Sequence, residues 1–546
     1  MAATSRIKNA LCASALLPDY LIFARHMADF GHVQKGRLSS YLDANKDTVF
    51  GKEHGFRTIT SIEEYQRKVP VREYADFTPY MDRISNGERA VLTKEPVTLL
   101  EPTGGTSSGS KLIPYTRSLK REFQKAVHPW IFDLYMNIQG LTAGRCYWSI
   151  TPVTAGNEHT EGGIPIGFED DSEYLGFAGR FLRSTLCVPS EVKDLHDINN
   201  FRYATAFFLL AASDLVLISV WNPTFLILLL EYIDHHHEQL LRDIFDGRIR
   251  LPVSGEEDFS YTPIHRLPAR ARQLEAVFQG AFTHRYTEIW KHLRVISCWS
   301  DGASRFHAQR ISDMFPGVYL QPKGLLATEG IVSIPLENAK GSVVAYQSHF
   351  LEFLPDPEET PRLLHQLDKG QVYTVVMTTG GGLYRYNLKD KILVIGTHRG
   401  LPIVAFHGRS SVSDIVGEKL EEAHVQRVIE GVLTKYELHL NFVLFAPEMN
   451  SSGGYYTLFV EPRSPLNHAL TDKVMKDVDR GLLENFHYKY ARDIGQLREP
   501  ELFIVNKGEG QKTFLRRCSE SGQRLGDIKP ALLDRRTGWK LYFASS

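Results

Sequence analysis

Thr103-Gly104-Gly105-Thr106-Ser107-Ser108-Gly109-Ser110-Lys111 is the stretch on which the fold reading turns. Its glycines let the backbone approach a ligand closely and take positive φ. Consecutive amide N–H groups in such a run form an anion-binding concavity. Five hydroxyl side chains add donors, and Lys111 adds a positive charge. A triphosphate needs these groups. Before the run, Val97-Thr98-Leu99-Leu100-Glu101-Pro102 reads as a strand ending in a turn. After it, Leu112 to Thr116 leads into a helix from about Leu119 to Gln139. The spacing departs from a Walker A loop, which places four residues between its first Gly and Gly-Lys-Ser/Thr. The bland alternative is a flexible Gly/Ser loop, so the rest of the chain must decide.

The chain has 546 residues, too many for one core, and length alone suggests two to four domains. Hydrophobic residues make up 43% and charged residues 23%, ordinary for a soluble globular protein. A net charge of -1 argues against a general polyanion binder. Cys12, Cys146, Cys187, Cys298 and Cys518 are scattered, with no CxxC pair, which fits buried thiols in a reducing cytoplasm. Residues 10–17 are apolar after Arg6 and Lys8, but no clear cleavage site follows. They read as part of an amphipathic helix rather than a signal peptide. The apolar stretch 204–230 is interrupted by Asp214 and broken at Asn222-Pro223. It reads as a helix, a buried strand over 215–221 and a second helix from Pro223, not as a membrane span.

In chain order, residues 1–50 are helical by spacing, and Ser61-Ile62-Glu63-Glu64 has the form of a capping box. Residues 145–153 read as a strand and Gly162 to Gly167 as a loop. His235-His236-His237 reads as a solvated helix end, because adjacent helical residues point apart and cannot chelate together. Strands at 295–299 and 318–321 flank a helix from Ser304. Residues 341–407 are β-rich, with strands at 342–347, 351–354, 371–378, 383–388 and 391–396 and a hairpin turn at Gly380-Gly381-Gly382. Gly408-Arg409-Ser410-Ser411 marks a boundary. A separate α+β pattern of about 135 residues follows, a length suited to an independent unit.

Four marks recur in order: the loop at 103–111; Ala327-Thr328-Glu329; Tyr384-Arg385-Tyr386-Asn387-Leu388-Lys389-Asp390; and Gly408-Arg409 followed by Gly417-Glu418-Lys419. With Ser219 to Leu226, Phe350 to Phe353 and Tyr373 to Thr379, the set resembles the GH3 family of acyl-acid amido synthetases, within the adenylate-forming superfamily. The resemblance implies an α/β protein with two parts. A large N-terminal adenylation domain, 1–407, holds mixed sheets, flanking helices and a β-rich portion; a small mobile α+β domain spans 408–546. It implies an ATP- and Mg²⁺-dependent ligase that adenylates a small carboxylic acid and passes the acyl group to an amine or amino acid, with neither nucleic acid nor membrane as partner. Two other readings are a ligase with CoA or a hydroxyl as acceptor, and a non-catalytic nucleotide switch.

The same resemblance implies roles for particular residues. Thr103, Gly104, Gly105, Thr106, Ser107 and Lys111 would hold the phosphates. Thr328 would lie near the α-phosphate, and Glu329 would help hold Mg²⁺, a hard cation that prefers oxygen. Asp390 would accept both ribose hydroxyls, and Arg409 takes the place of the hinge arginine. Lys419, then Lys529, are the candidates for a lysine reaching the α-phosphate. Trp148, Trp221, Trp299 and Leu326, in the loop 325–331, would line the acid site. The chain departs from the family pattern at Lys389, where Gly usually precedes the Asp; a positive φ there would strain Lys. The loop is also shorter around Gly109.

Overall fold

The computed structural model describes residues 2–103, 111–149, 158–167, 176–256, 259, 265–280, 284–302, 304–355, 360–409, 412–413, 415–416, 418, 420–450, 453–493, 495–521, 523 and 528–545. Four parallel strands, Arg145–Trp148, Leu215–Ser219, Val295–Cys298 and Tyr319–Pro322, form one sheet in that order. Parallel strands need crossovers, which put helices on the faces and bury the sheet. Helices Ile198–Ala211, Pro223–Asp246 and Ser304–Met314 supply them. Every side chain of Leu215–Ser219 is accordingly buried. The Asn222-Pro223 break read from sequence is a helix start. Asn222 Oδ1 accepts the Thr224 N–H at 2.9 Å, with Pro223 in the first turn.

The β-rich portion is a seven-stranded antiparallel sheet. Its order is Ser333–Leu336, Gly341–Val344, Leu401–Arg409, Tyr386–His398, Val372–Thr378, Phe350–Pro355, Arg362–Leu363. The expected strands 383–388 and 391–396 are one strand, Tyr386–His398, whose register shifts after Lys391. The strand reading 145–153 ends at Trp148, and residues 150–157 lie outside the described residues. Gly162 lies between two short paired strands, Glu158–His159 and Pro165–Ile166. The three histidines lie inside the helix, not at its end. Each ring Nδ1 approaches a carbonyl one turn back, that of Glu231, Tyr232 or Asp234.

The C-terminal portion is built on Leu440–Asn450, Gly453–Pro462 and Glu501–Ile504. Strand alternation splits its core into two. Phe442, Leu444 and Ala446 face Phe514, Trp539 and Phe543. Val443 and Phe445 face the helices Glu422–Lys435 and His468–Leu482. This portion meets the parallel sheet through Asn222, whose side-chain amide donates to the Ile528 carbonyl.

Candidate active site

The segments on either side of the glycine-rich run pair as a hairpin, not as the strand–loop–helix that its sequence suggested. Leu99–Thr103 pairs antiparallel with Lys111–Tyr115, placing Thr103 opposite Lys111. The helix begins only at Arg117, where Thr116 Oγ1 accepts the Leu119 N–H at 3.1 Å. Gly104, Gly105, Thr106 and Ser107 lie outside the described residues, as does the Thr103 side chain. Lys111 Nζ stands 5.6 Å from the centre of the Tyr74 ring. The Tyr74 hydroxyl clamps the second strand, accepting the Leu112 N–H at 2.8 Å and donating to the Leu112 carbonyl at 3.1 Å.

Tyr115, at the base of this hairpin, joins it to the second predicted element. Its hydroxyl donates to the Thr328 carbonyl at 2.8 Å. Thr328 and Glu329 form the turn between Leu326–Ala327 and Gly330–Ile331. Glu329 is buried, and its Oε1 accepts the Tyr386 hydroxyl at 3.1 Å. Its other oxygen has no hydrogen-bond partner among the described residues. A carboxylate held by one oxygen fits a hard cation on the other. Mg²⁺ takes one or two carboxylates plus phosphates and water rather than an all-protein cage. No cluster of three acidic, His or Cys side chains that could hold a metal by themselves occurs among the described residues.

Behind this turn lies a buried chain that no sequence motif indicates. His349 Nε2 accepts the Ile331 N–H at 3.0 Å, so the opposite nitrogen, Nδ1, carries the proton and donates to Glu122 at 2.9 Å. The same Glu122 oxygen accepts the Gly380 N–H at 2.9 Å. Thr116 Oγ1 donates to the Gly380 carbonyl at 2.9 Å. The helix Arg117–Asn137 therefore holds both the Glu329 turn and the triglycine turn. Gly330 has no room for a side chain, since a Cβ there would lie 2.7 Å from His349 Nε2.

The third element crosses the middle of the large sheet. Asp390 is buried and stands directly opposite Arg409 on the neighbouring strand; the Arg409 side chain lies outside the described residues. Lys389 has φ of 63°, so the strain expected of Lys in a glycine place is present. The Asn387 side chain offsets part of it by accepting the Lys389 N–H at 2.9 Å. Arg385, with φ of 51°, is held by a buried bidentate pair with Glu352 at 2.9 and 3.0 Å. It also donates to the Gln66 and Val69 carbonyls.

The tryptophans gather at the carboxyl ends of the parallel strands. Trp148 ends the first, and Trp221 and Trp299 follow the second and third, with the Trp299 N–H donating to the Trp221 carbonyl at 3.0 Å. Lys323, which no motif indicated, follows the fourth strand and is buried. Its Nζ donates to Ser219 Oγ at 2.7 Å and lies 4.7, 5.1 and 5.3 Å from the ring centres of Trp221, Trp148 and Trp130. These aromatic faces and the hydroxyl stabilise a cation out of water. Trp299 packs edge-on against Phe406, 5.2 Å away, and Lys529 Nζ lies 5.1 Å from its ring centre. Lys529 of the C-terminal portion is thus brought to the tryptophan end of the sheet. Lys419 lies outside the described residues. Leu326 begins the hairpin that carries Glu329.

Comparison with known proteins gives three successive matches. Residues 22–320 match the GH3 family N-terminal domain, 342–409 the GH3 family central domain, and 423–536 the GH3 family C-terminal domain. The chain is 24% identical over 503 residues to the indole-3-acetic acid-amido synthetase GH3.10 of Arabidopsis thaliana, covering 83% of each. It is 24% identical over 531 residues to the jasmonoyl-L-amino acid synthetase JAR6 of Nicotiana attenuata, covering 89% of this chain and 88% of that one. The solved structure of AtGH3.15 acyl acid amido synthetase in complex with 2,4-DB superimposes with a TM-score of 0.85 at 18% identity, over 97% of this chain and 96% of that one. Its fold is shared.

Proposed function

The chain belongs to the GH3 family, and from that premise we propose that it is an AMP-forming acid–amine ligase. A small carboxylic acid attacks the α-phosphorus of ATP, the bond to pyrophosphate breaks, and an acyl-AMP forms. An amine, in our reading the amino group of an amino acid, then attacks the acyl carbon. It loses a proton, and AMP leaves. The observation that carries this reading is the buried Glu329, fixed on a turn that Tyr115 ties to the base of the glycine-rich hairpin.

Both first-step reactants are anions, so the site must neutralise charge and orient them. We assign the phosphates to the glycine-rich run and Lys111, with Thr328 beside the α-phosphate. Mg²⁺, held by Glu329 and the phosphates, would neutralise the charge that develops as pyrophosphate leaves. Asp390 would hold the ribose and Arg409 the hinge between the two portions. We assign the acid to the wall made by Trp148, Trp221, Trp299 and Leu326, where Lys323 supplies positive charge. Of the two lysine candidates, Lys419 lies outside the described residues, and Lys529, beside Trp299, would meet the reacting carboxylate. The five buried cysteines suit a place in the reducing cytoplasm.

The test is incubation with ATP, Mg²⁺ and a panel of aromatic and aliphatic acids, with and without mixed amino acids. AMP together with the mass of an acid–amino-acid condensate is expected. AMP without an amide would move the acceptor to another nucleophile, and ADP would overturn the adenylation chemistry. Trp299→Ala and Leu326→Ala are expected to change the order of preferred acids; an unchanged order would remove them from the acid site.

A further inference from the structure

The outer face of the N-terminal helix, Ala2–His26, is apolar where a solvated helix would be polar. Ile7 is 64% exposed, Leu11 47%, Leu17 36%, Leu21 55% and Ile22 50%. At 100° per residue these five fall on one side, and from Ile7 to Ile22 they extend over roughly 22 Å. The opposite side is fastened to the protein: Cys12, Leu16 and Phe23 are fully buried, and the helix lies along Arg117–Asn137. Segment Ser5–Asn45 alone among the described residues is long and apolar enough by composition to cross a bilayer, yet only 28% of its most apolar window is buried. Because its inner side belongs to the protein core, this helix cannot cross one.

Charge decides what covers the stripe. Exposed Arg6 stands at one end and exposed Arg25 and His26 at the other. The helix's one acid, Asp19, is half-buried against His128. A second copy laid on the stripe, parallel or antiparallel, would bring arginine against arginine with no exposed carboxylate on the helix to meet either. An anionic surface meets both ends with attraction. Apolar side chains between cations, on a helix lying flat, are what an interfacial helix uses. We propose that this face docks the protein reversibly on an anionic lipid bilayer, the helix axis in the plane of the headgroups. The sequence reading included no membrane partner, because periodicity shows that a face is apolar without showing that nothing in the protein covers it.

Flotation of the full-length protein with phosphatidylcholine vesicles containing roughly 30% phosphatidylserine, against pure phosphatidylcholine vesicles, tests this. The wild type is expected to bind the anionic vesicles at least about tenfold more tightly, and to lose that preference at high salt. Leu11→Glu with Leu21→Glu should abolish binding while leaving acid-dependent pyrophosphate release unchanged. If that pair misfolds, Arg6→Ser with Arg25→Ser, both at exposed positions, should lower anionic binding by about tenfold. Failure of the wild type to float with anionic vesicles would overturn the proposal. So would equal binding by the folded variants, or a wild-type dimer that the glutamates dissolve.

Discussion

Replacing His349 separates a structural histidine from one that positions the Glu329 turn. His349→Phe keeps the ring volume but removes the acceptor for the Ile331 N–H and the proton donated to Glu122, both fully enclosed. A buried donor left unpaired costs about 1–3 kcal/mol, and a bond to a charged group is worth about 1.5–3 kcal/mol. Glu122 keeps its bond from Gly380, so the loss should fall near 3–5 kcal/mol. His349→Gln offers a carbonyl oxygen and an amide N–H in place of the two ring nitrogens and should cost less than about 2 kcal/mol. Urea unfolding measures both. Under folded conditions, acid-dependent pyrophosphate release by His349→Phe should fall by about tenfold in kcat/KM for ATP, the equivalent of about 1.4 kcal/mol of lost positioning. Gly330→Ala, which drives a methyl into the same ring nitrogen, should act in the same direction. A His349→Phe protein within about 1 kcal/mol of wild type and fully active would refute the positioning role.

Three further outcomes are expected. Lys389→Gly relieves about 1–2 kcal/mol of left-handed strain but gives up about 0.4–1 kcal/mol in backbone entropy. Measured in a Glu73→Gln background, which removes the exposed Lys389–Glu73 pair, it should raise stability by up to about 1 kcal/mol; a loss of that size would contradict the strain. Burial pushes the Asp133 carboxyl up to about 6 from 3.8, so its stabilising contribution is complete below about 3.8 and lost as pH rises through 6. Asp133→Asn should therefore gain on wild type between pH 4 and 7 by on the order of 2–3 kcal/mol, and a difference that is flat with pH would contradict it. Glu329→Gln and Asp390→Ala should abolish pyrophosphate release while circular dichroism stays native; near-normal release by both would mean these residues do not hold Mg²⁺ and ribose.

The parallel sheet could be read because its signals are local. Leu215–Ser219 is an unbroken apolar run, and Asn222-Pro223 combines a cap with a first-turn proline. The strain at Lys389 was readable for the same reason, one residue type in a place that needs positive φ. The hairpin around the glycine-rich run was not. Pro114 and the polar tip mask Lys111–Tyr115 as a strand, and only pairing with Leu99–Thr103 makes it one. His349 and Glu122 are 227 positions apart in sequence and belong to no spacing pattern. Lys323 reads as an ordinary polar residue until the parallel strands and the helix Arg117–Asn137 bring three tryptophans around it. Contacts set by tertiary packing leave no periodic trace, and most of the support behind the Glu329 turn is of that kind.

The most direct measurement of the central claim uses an accepted acid labelled with ¹⁸O in both carboxylate oxygens, turned over with ATP, Mg²⁺ and amino acids. Attack by the carboxylate on the α-phosphorus, followed by amine attack on the acyl carbon, leaves one labelled oxygen in AMP. The account predicts AMP that carries one ¹⁸O and pyrophosphate that carries none. Label in orthophosphate with ADP as coproduct, or unlabelled AMP, would contradict it.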